Sequence, residues 1–217
     1  MSNAIPVTER TRLRRAPKRG DFSRETVYAI LDAMPLCHIG YVIDGSPFAM
    51  PSIQWREGDH VYWHSSSAGR GGRSMVEQEV CLTVSMIDSF ALGRSAMHHS
   101  VDYRSAMIFG RPTIVDDPAE KEARLKGLIE NLYPGRWDML RPMTQKEAKV
   151  TMVYALPIEE ASAKVRNSGV VDDEEDYALP IWAGIIPLQM HMKEPIADPR
   201  NIEGVEMPDH VGALKIG

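Results

Sequence analysis

Two short turn clusters limit this chain most. Asp44-Gly45-Ser46-Pro47 and Glu57-Gly58-Asp59 each lie between segments rich in strand-forming residues. Connections this short join antiparallel neighbours, because a parallel pair needs a crossover of roughly a dozen residues or more. Residues 37–44, 48–56 and 60–65 are therefore expected as a three-stranded meander. Three more strands are expected at 80–88, 103–115 and 151–158, the second of these bent or bulged near Gly110 and Pro112. A helix is expected over 23–34, where Val27, Ile30, Leu31 and Met34 form one apolar stripe behind Ser23 as cap and Pro35 ends it. A second starts at Asp117-Pro118-Ala119-Glu120 and buries Leu125, Leu128, Ile129 and Leu132. A very short one opens at Thr144-Gln145-Lys146-Glu147. Six strands with two main helices point to an α+β protein, an antiparallel barrel with helices at its ends.

Length and charge narrow the class. The 217 residues fit one domain. The division expected is a basic arm at 1–20, one domain at 21–190 and a tail at 191–217. The arm sets Arg10, Arg12, Arg14, Arg15, Lys18 and Arg19 against Glu9 alone, so a solvated arm is the simpler reading and packing on a partner or near an anion the other. A net charge of -5 gives no reason to expect nucleic acid. No apolar run reaches membrane-spanning length, and the expectation is a soluble cytoplasmic protein. Cys37 and Cys81 sit in apolar runs and read as buried thiols.

Residues 61–74, VYWHSSSAGRGGRS, pass from a strand into a loop of hydroxyls, glycines and guanidiniums. Glycine lets backbone N–H groups approach an anion, hydroxyls donate, and arginine pairs with phosphate oxygens through two parallel bonds. Arg70 and Arg73, with Ser65, Ser66, Ser67 and Ser74, are thus candidates for a phosphate cradle. The alternative is an ordinary surface loop. It is neither a Walker loop nor a dinucleotide GxGxxG turn. A second cluster, Tyr103-Arg104-Ser105, has the same chemistry, and alternation places Arg104, Ala106 and Ile108 on one face of its strand. His98 and His99 lack a zinc spacing, so no metal is expected; His64 and His98 remain candidates for proton donation. GxSxG is absent, leaving hydrolysis without support. The acidic run 172–176 reads as a solvated loop. The aperiodic apolar stretch 179–188 suits a sheet edge, a lid or a subunit contact, with Trp182 the aromatic most suited to a ligand.

The order of these pieces resembles the pyridoxamine 5′-phosphate oxidase-related flavoproteins, the FMN-binding split barrels, in their nitroimidazole-reductase-like branch. Gly45-Ser46-Pro47-Phe48-Ala49-Met50-Pro51, Val61-Tyr62-Trp63-His64-Ser65-Ser66, Tyr103-Arg104-Ser105-Ala106-Met107-Ile108-Phe109-Gly110 and Pro118-Ala119-Glu120-Lys121 carry the likeness, which spans about 22–188. The resemblance implies a six-stranded antiparallel split β-barrel with flanking helices, and a homodimer with FMN at the subunit interface. It places Met50, Pro51, Ser52 and Ile53 along the isoalloxazine, His64, Ser65, Ser66 and the following arginine near the phosphate and ribityl chain, and Trp63 among the cofactor-binding residues. Arg104, Ser105 and Ala106 would face FMN from β-strand residues of either subunit, and Asp102 stands where the family usually has Asn. It further implies an oxidoreductase passing electrons from a reduced nicotinamide to a small nitroaromatic or quinone-like acceptor. A flavin- or haem-binding carrier or sensor is the alternative, and a pyridoxamine 5′-phosphate oxidase is less favoured, because a second basic site for the substrate phosphate is not evident.

Overall fold

The computed structural model describes residues 3–69 and 71–212. Arg70 and the Arg73 side chain lie outside the described set. β1 (Gly20–Asp21) precedes α1 (Arg24–Ala33). The meander follows as β2 (Leu36–Ile43), β3 (Ser46–Glu57) and β4 (His60–Ser66). Then come β5 (Val80–Leu92), β6 (Ser100–Gly110) and β7 (Thr113–Ile114). α2 (Pro118–Leu132) and α3 (Gln145–Val150) lead into β8 (Thr151–Pro157) and β9 (Glu160–Arg166). β10 (Gly184–Pro187) and a short α4 (Asp209–Gly212) end the described chain.

The turns behave as their residues require. Asp44 and Gly45 both take positive φ, 49° and 76°. Two such residues make the tight loop whose twist matches a hairpin. The Ser23 side chain caps α1 by accepting from Thr26 N–H, Asp117 caps α2 with Pro118 in the first position, and Thr144 with Glu147 forms a complete capping box on α3.

Every pairing is antiparallel, in the order β1-β9-β6-β5-β2-β3-β4-β8-β7, with β10 beside β5. The architecture is α+β and consistent with a split barrel. The six expected strands are present, but the sheet has ten and its order does not close on itself. The long strand expected at 103–115 stops at Gly110, whose φ of 157° and the following Pro112 break it; β7 then pairs with β8 on the other side of the sheet. β9 is the main addition. Its sequence EASAKVR is rich in Ala and Ser, poor strand formers, and it is held by pairing with β6.

Inside the curled sheet lie Ile39, Val61, Trp63, Leu82, Val84, Ile108, Tyr154 and Leu156, with Val27, Ile30 and Leu31 of α1 packed onto them. A smaller cluster on the outer face joins Trp55, Tyr62 and Val153 to Leu128 of α2. The arm is anchored through its backbone and Ile5, while its basic side chains stay exposed. Ile5 is in the core, Ala4 bridges to Ser23, and Arg10 pairs with Glu79 and Glu160 over the Phe109 ring. Cys37 is buried and Cys81 half-buried, both as free thiols. Among the described residues no helix is long and apolar enough to cross a membrane.

Candidate functional site: a fork between two strands

β3 changes partner midway. Its residues from Ser46 to Ile53 pair with β2, while Gln54 to Glu57 pair with β4. β4 continues past Trp63 through His64, Ser65 and Ser66, paired with β8 alone. From Gln54 and Trp63 onward the two strands therefore diverge and leave a gap in the sheet.

Alternation shows which backbone groups face that gap. Gln54 N–H donates to Pro35 O at 2.8 Å, on the β2 side, so Pro51 and Ile53 direct their polar groups the other way. Pro51 has no N–H to lose from the ladder there, which explains a proline within a long strand. On the opposite wall Ser67 N–H donates to Val150 O at 2.8 Å on the β8 side, so His64 and Ser66 face the gap. Ser52 Oγ spans it, 3.4 Å from His64 O.

The predicted residues divide into two groups around this fork. Pro51, Ser52, Ile53, His64, Ser65 and Ser66 line it and are partly or fully exposed, with half-buried Met50 next along β3. Trp63 belongs to the core: it is fully buried and stacks on Tyr154 with ring centres 5.0 Å apart. The loop beyond Ser66 is tied to the barrel. Tyr154 Oη donates to Gly72 O at 2.7 Å and lies 3.3 Å from Ser65 Oγ, while Ser74 Oγ donates to Gly71 O at 2.6 Å. A Cβ on Gly71 would come within 2.0 Å of buried Met75 Cε, so a side chain there would force Met75 to move.

His64 is the unusual member. Burial lowers its pKa below the ordinary histidine value, so the ring is neutral near pH 7. Its Nδ1 is buried and has no partner among the described residues. A partnerless buried nitrogen beside a gap lined by backbone polar groups fits a ligand with hydrogen-bonding edges, as a flavin ring has.

The second predicted cluster is less free than its sequence suggests. Arg104 does share the inner face with Ala106 and Ile108, and both of those are fully buried. Its guanidinium binds Asp88 through two contacts, Nη2 to Oδ1 at 2.7 Å and Nε to Oδ2 at 3.0 Å. Asp88 sits in a β-bulge between Ile87 and Ser89, a register shift with no local signal in the sequence. The pair lines a groove of about 410 Å³ with Met34, Met86, Leu188 and Met190. Ser105 faces away and donates to Lys164 O at 3.3 Å. β6 and β4 have β5, β2 and β3 between them. Four strand steps are on the order of 19 Å along the sheet.

The Asp102 carboxylate is buried and bound within the chain. It accepts from Arg166 and from Ser89 Oγ at 3.0 Å, and Gly169 N–H lies 3.2 Å from it. Trp182 is 70% exposed on the surface beside β10, outside both groups. His98 sits in the β5–β6 connection against Asp172 and Asp173, and His99 Nδ1 contacts Ser95 O at 2.9 Å.

Residues 23–165 match the model of the family described as pyridoxamine 5′-phosphate oxidase. The chain belongs to that family. Among solved structures, the flavocytochrome Anf3 from Azotobacter vinelandii is 44% identical with a TM-score of 0.94, covering 97% of this chain and 98% of that one. The FAD and haem binding protein from Mycobacterium smegmatis is 31% identical with a TM-score of 0.86, covering 90% and 97%. A putative 5-nitroimidazole antibiotic resistance protein from Bacteroides thetaiotaomicron, 21% identical with a TM-score of 0.57 over 67% and 86%, shares the fold. No curated protein matches. Within the family, then, full-length likeness runs to proteins described by flavin and haem together.

Proposed function

We propose that this member of the pyridoxamine 5′-phosphate oxidase family is a flavin- and haem-binding redox protein that works as a homodimer. The observation that carries the flavin is the fork, with partnerless His64 Nδ1 and the hydroxyl loop at one end. Ser65, Ser66 and Ser74, with Arg70 and Arg73 as the sequence suggests, would hold the phosphates, and the Pro51–Ile53 backbone would line the ring. FMN was the expectation from sequence. The M. smegmatis relative is described as binding FAD, and FAD is the flavin we favour. The haem reading rests on both full-length relatives and on the Arg104 groove. Its three methionines offer apolar surface and thioether sulfur, and a guanidinium suits a haem carboxylate.

The four strand steps between Arg104 and the Ser-rich loop support a dimer, since a second copy would bring one group to the other's ligand. Exposed Phe90, Ile181, Trp182, Ile185 and Ile186 supply apolar area for such a contact. A bound flavin supplies hydride and single-electron chemistry; the chain binds it, orients it and limits water around it. His64, held neutral, accepts a hydrogen bond or donates one at its ring nitrogens according to tautomer. We assign a reduced nicotinamide as donor and a small oxidised molecule, nitroaromatic or quinone-like, as acceptor.

The absorption spectrum of purified protein is the test. Flavin bands together with a Soret band are expected, and the mass of the released flavin distinguishes FAD from FMN. Colourless protein that takes up neither flavin nor haem refutes the proposal. Bound flavin that no reduced nicotinamide bleaches favours the carrier or sensor reading instead.

A further inference from the structure

Two sequence features lie outside both the fork and the Arg104 groove: the His98-His99 pair and the acidic run 172–176. The fold brings them together across more than seventy residues of chain. His98, Asp173 and Asp176 each present a ligating atom, and these atoms all lie within 4.8 Å of one another. We propose that they form a site for a divalent transition cation such as Zn²⁺, which fastens the tail segment leading into β10 to the β5–β6 connection.

The surroundings are those of a built site. Asp172 has a fully buried side chain, held by Arg94 through N–H to Oδ1 at 3.0 Å and Nη1 to Oδ2 at 2.8 Å. Its Oδ1 lies 3.3 Å from His98 Nδ1. Nε2 is left on the opposite side of the ring, 3.7 Å from Asp173 Oδ2. A carboxylate behind one ring nitrogen, with the other nitrogen aimed at the ion, is the arrangement that orients metal-binding histidines. Gly93 permits the approach: a Cβ there would lie 2.7 Å from both Asp172 Oδ1 and His98 Cβ.

Donor chemistry sets the ion class. One imidazole with two carboxylates suits Zn²⁺, Fe²⁺ or Mn²⁺ better than a soft ion or Ca²⁺. Bonds of about 2.0–2.1 Å to a tetrahedral ion place ligands about 3.3 Å apart. Asp173 is 83% exposed, so it can turn the remaining distance without disturbing the core. Three protein ligands leave a position for water. The Asp173 and Asp176 carboxylates lie within 4.8 Å of each other, and like charges at that range repel, which a cation between them would offset.

The test uses full-length holoprotein stripped with EDTA and dialysed against micromolar Zn²⁺, with zinc counted by mass spectrometry. One Zn²⁺ per chain is expected, falling to background in His98→Ala and in Asp173→Asn/Asp176→Asn. His99→Ala keeps it. Asp172→Asn, a positioning change, weakens binding about 10- to 100-fold. Co²⁺ should give visible ligand-field bands that disappear in the same variants, and Zn²⁺ should slow proteolysis between 169 and 182. Should His98→Ala fail to fold, the two surface aspartates carry the test. Flavin and haem absorbance of the Asp173→Asn/Asp176→Asn protein stays unchanged, which separates this site from the redox one. Equal zinc binding by wild type and that variant, or none by wild type, overturns the proposal.

Discussion

Replacing Asp102 tests the interior of this fold and the reading of its ligand site together. The Asp102 and Arg166 side chains are 9% and 4% exposed and form a direct ion pair. Asp102 also receives Ser89 Oγ and Gly169 N–H, while Arg166 Nη2 donates to Gly169 O at 2.7 Å. Asp102→Ala leaves a guanidinium buried with no counter-charge, which costs about 3–5 kcal/mol. For a chain of this size each kcal/mol moves the melting temperature by about 2–4 °C, so a fall of about 6–20 °C is expected. Asp102→Asn retains acceptor capacity toward Ser89 and Gly169 but loses the charge, and should fall between wild type and Ala. Asp102→Leu with Arg166→Met removes both charges and should recover most of the loss, because apolar replacement of a buried pair is close to neutral or better. The assay is urea and thermal unfolding, with flavin affinity measured on the folded protein. If the carboxylate faced an anionic ligand instead, Asp102→Asn would tighten flavin binding several-fold and cost little stability. That outcome, or a loss below about 1 kcal/mol for Asp102→Ala, refutes the assigned orientation.

Three other outcomes follow from single groups. The His64 pKa is lower folded than its unfolded value of about 6.5, so stability is full above that pH and declines as pH falls through the folded pKa; His64→Gln should flatten this part of the stability–pH curve measured by urea unfolding. Burial pushes the Cys37 thiol up to about 12, so at pH 8 it should resist a thiol reagent in the native protein and react at once in denaturant. Ser23→Ala removes the α1 cap, whose Oγ accepts from Thr26 N–H at 3.2 Å, and should cost about 1 kcal/mol in urea unfolding; no change would mean that core packing alone holds α1.

Local chemistry was enough for much of the architecture. Asp44-Gly45 forces a hairpin because both positions need positive φ, which these residues tolerate. Ser23, Asp117 and Thr144 mark three helix starts because a side-chain oxygen beside free backbone N–H groups is a short-range effect. Alternation put Arg104, Ala106 and Ile108 on one face of their strand, since neighbouring strand residues must face opposite ways; the structure shows that this face carries the buried Ala106 and Ile108. The hydroxyl-rich stretch after Trp63 read as a phosphate cradle or a surface loop, and Pro51 as an edge, bulge or ligand-lined position. Other features depend on partners far along the chain. Whether β3 pairs with β2 or β4 at a given residue is a property of three strands at once, so the gap that defines the site has no signature in any one of them. β9 is a strand because β6 lies beside it, against the weak propensity of its own residues. Asp88 reaches Arg104 through a bulge, Asp102 turns to Arg166, and His98 meets Asp172 and Asp173; each joins groups from 16 to 75 residues apart. Composition and periodicity act over a few residues and fix what each segment becomes; which charges neutralise one another, and which remain for a ligand, is decided only when distant segments share one buried, low-dielectric space.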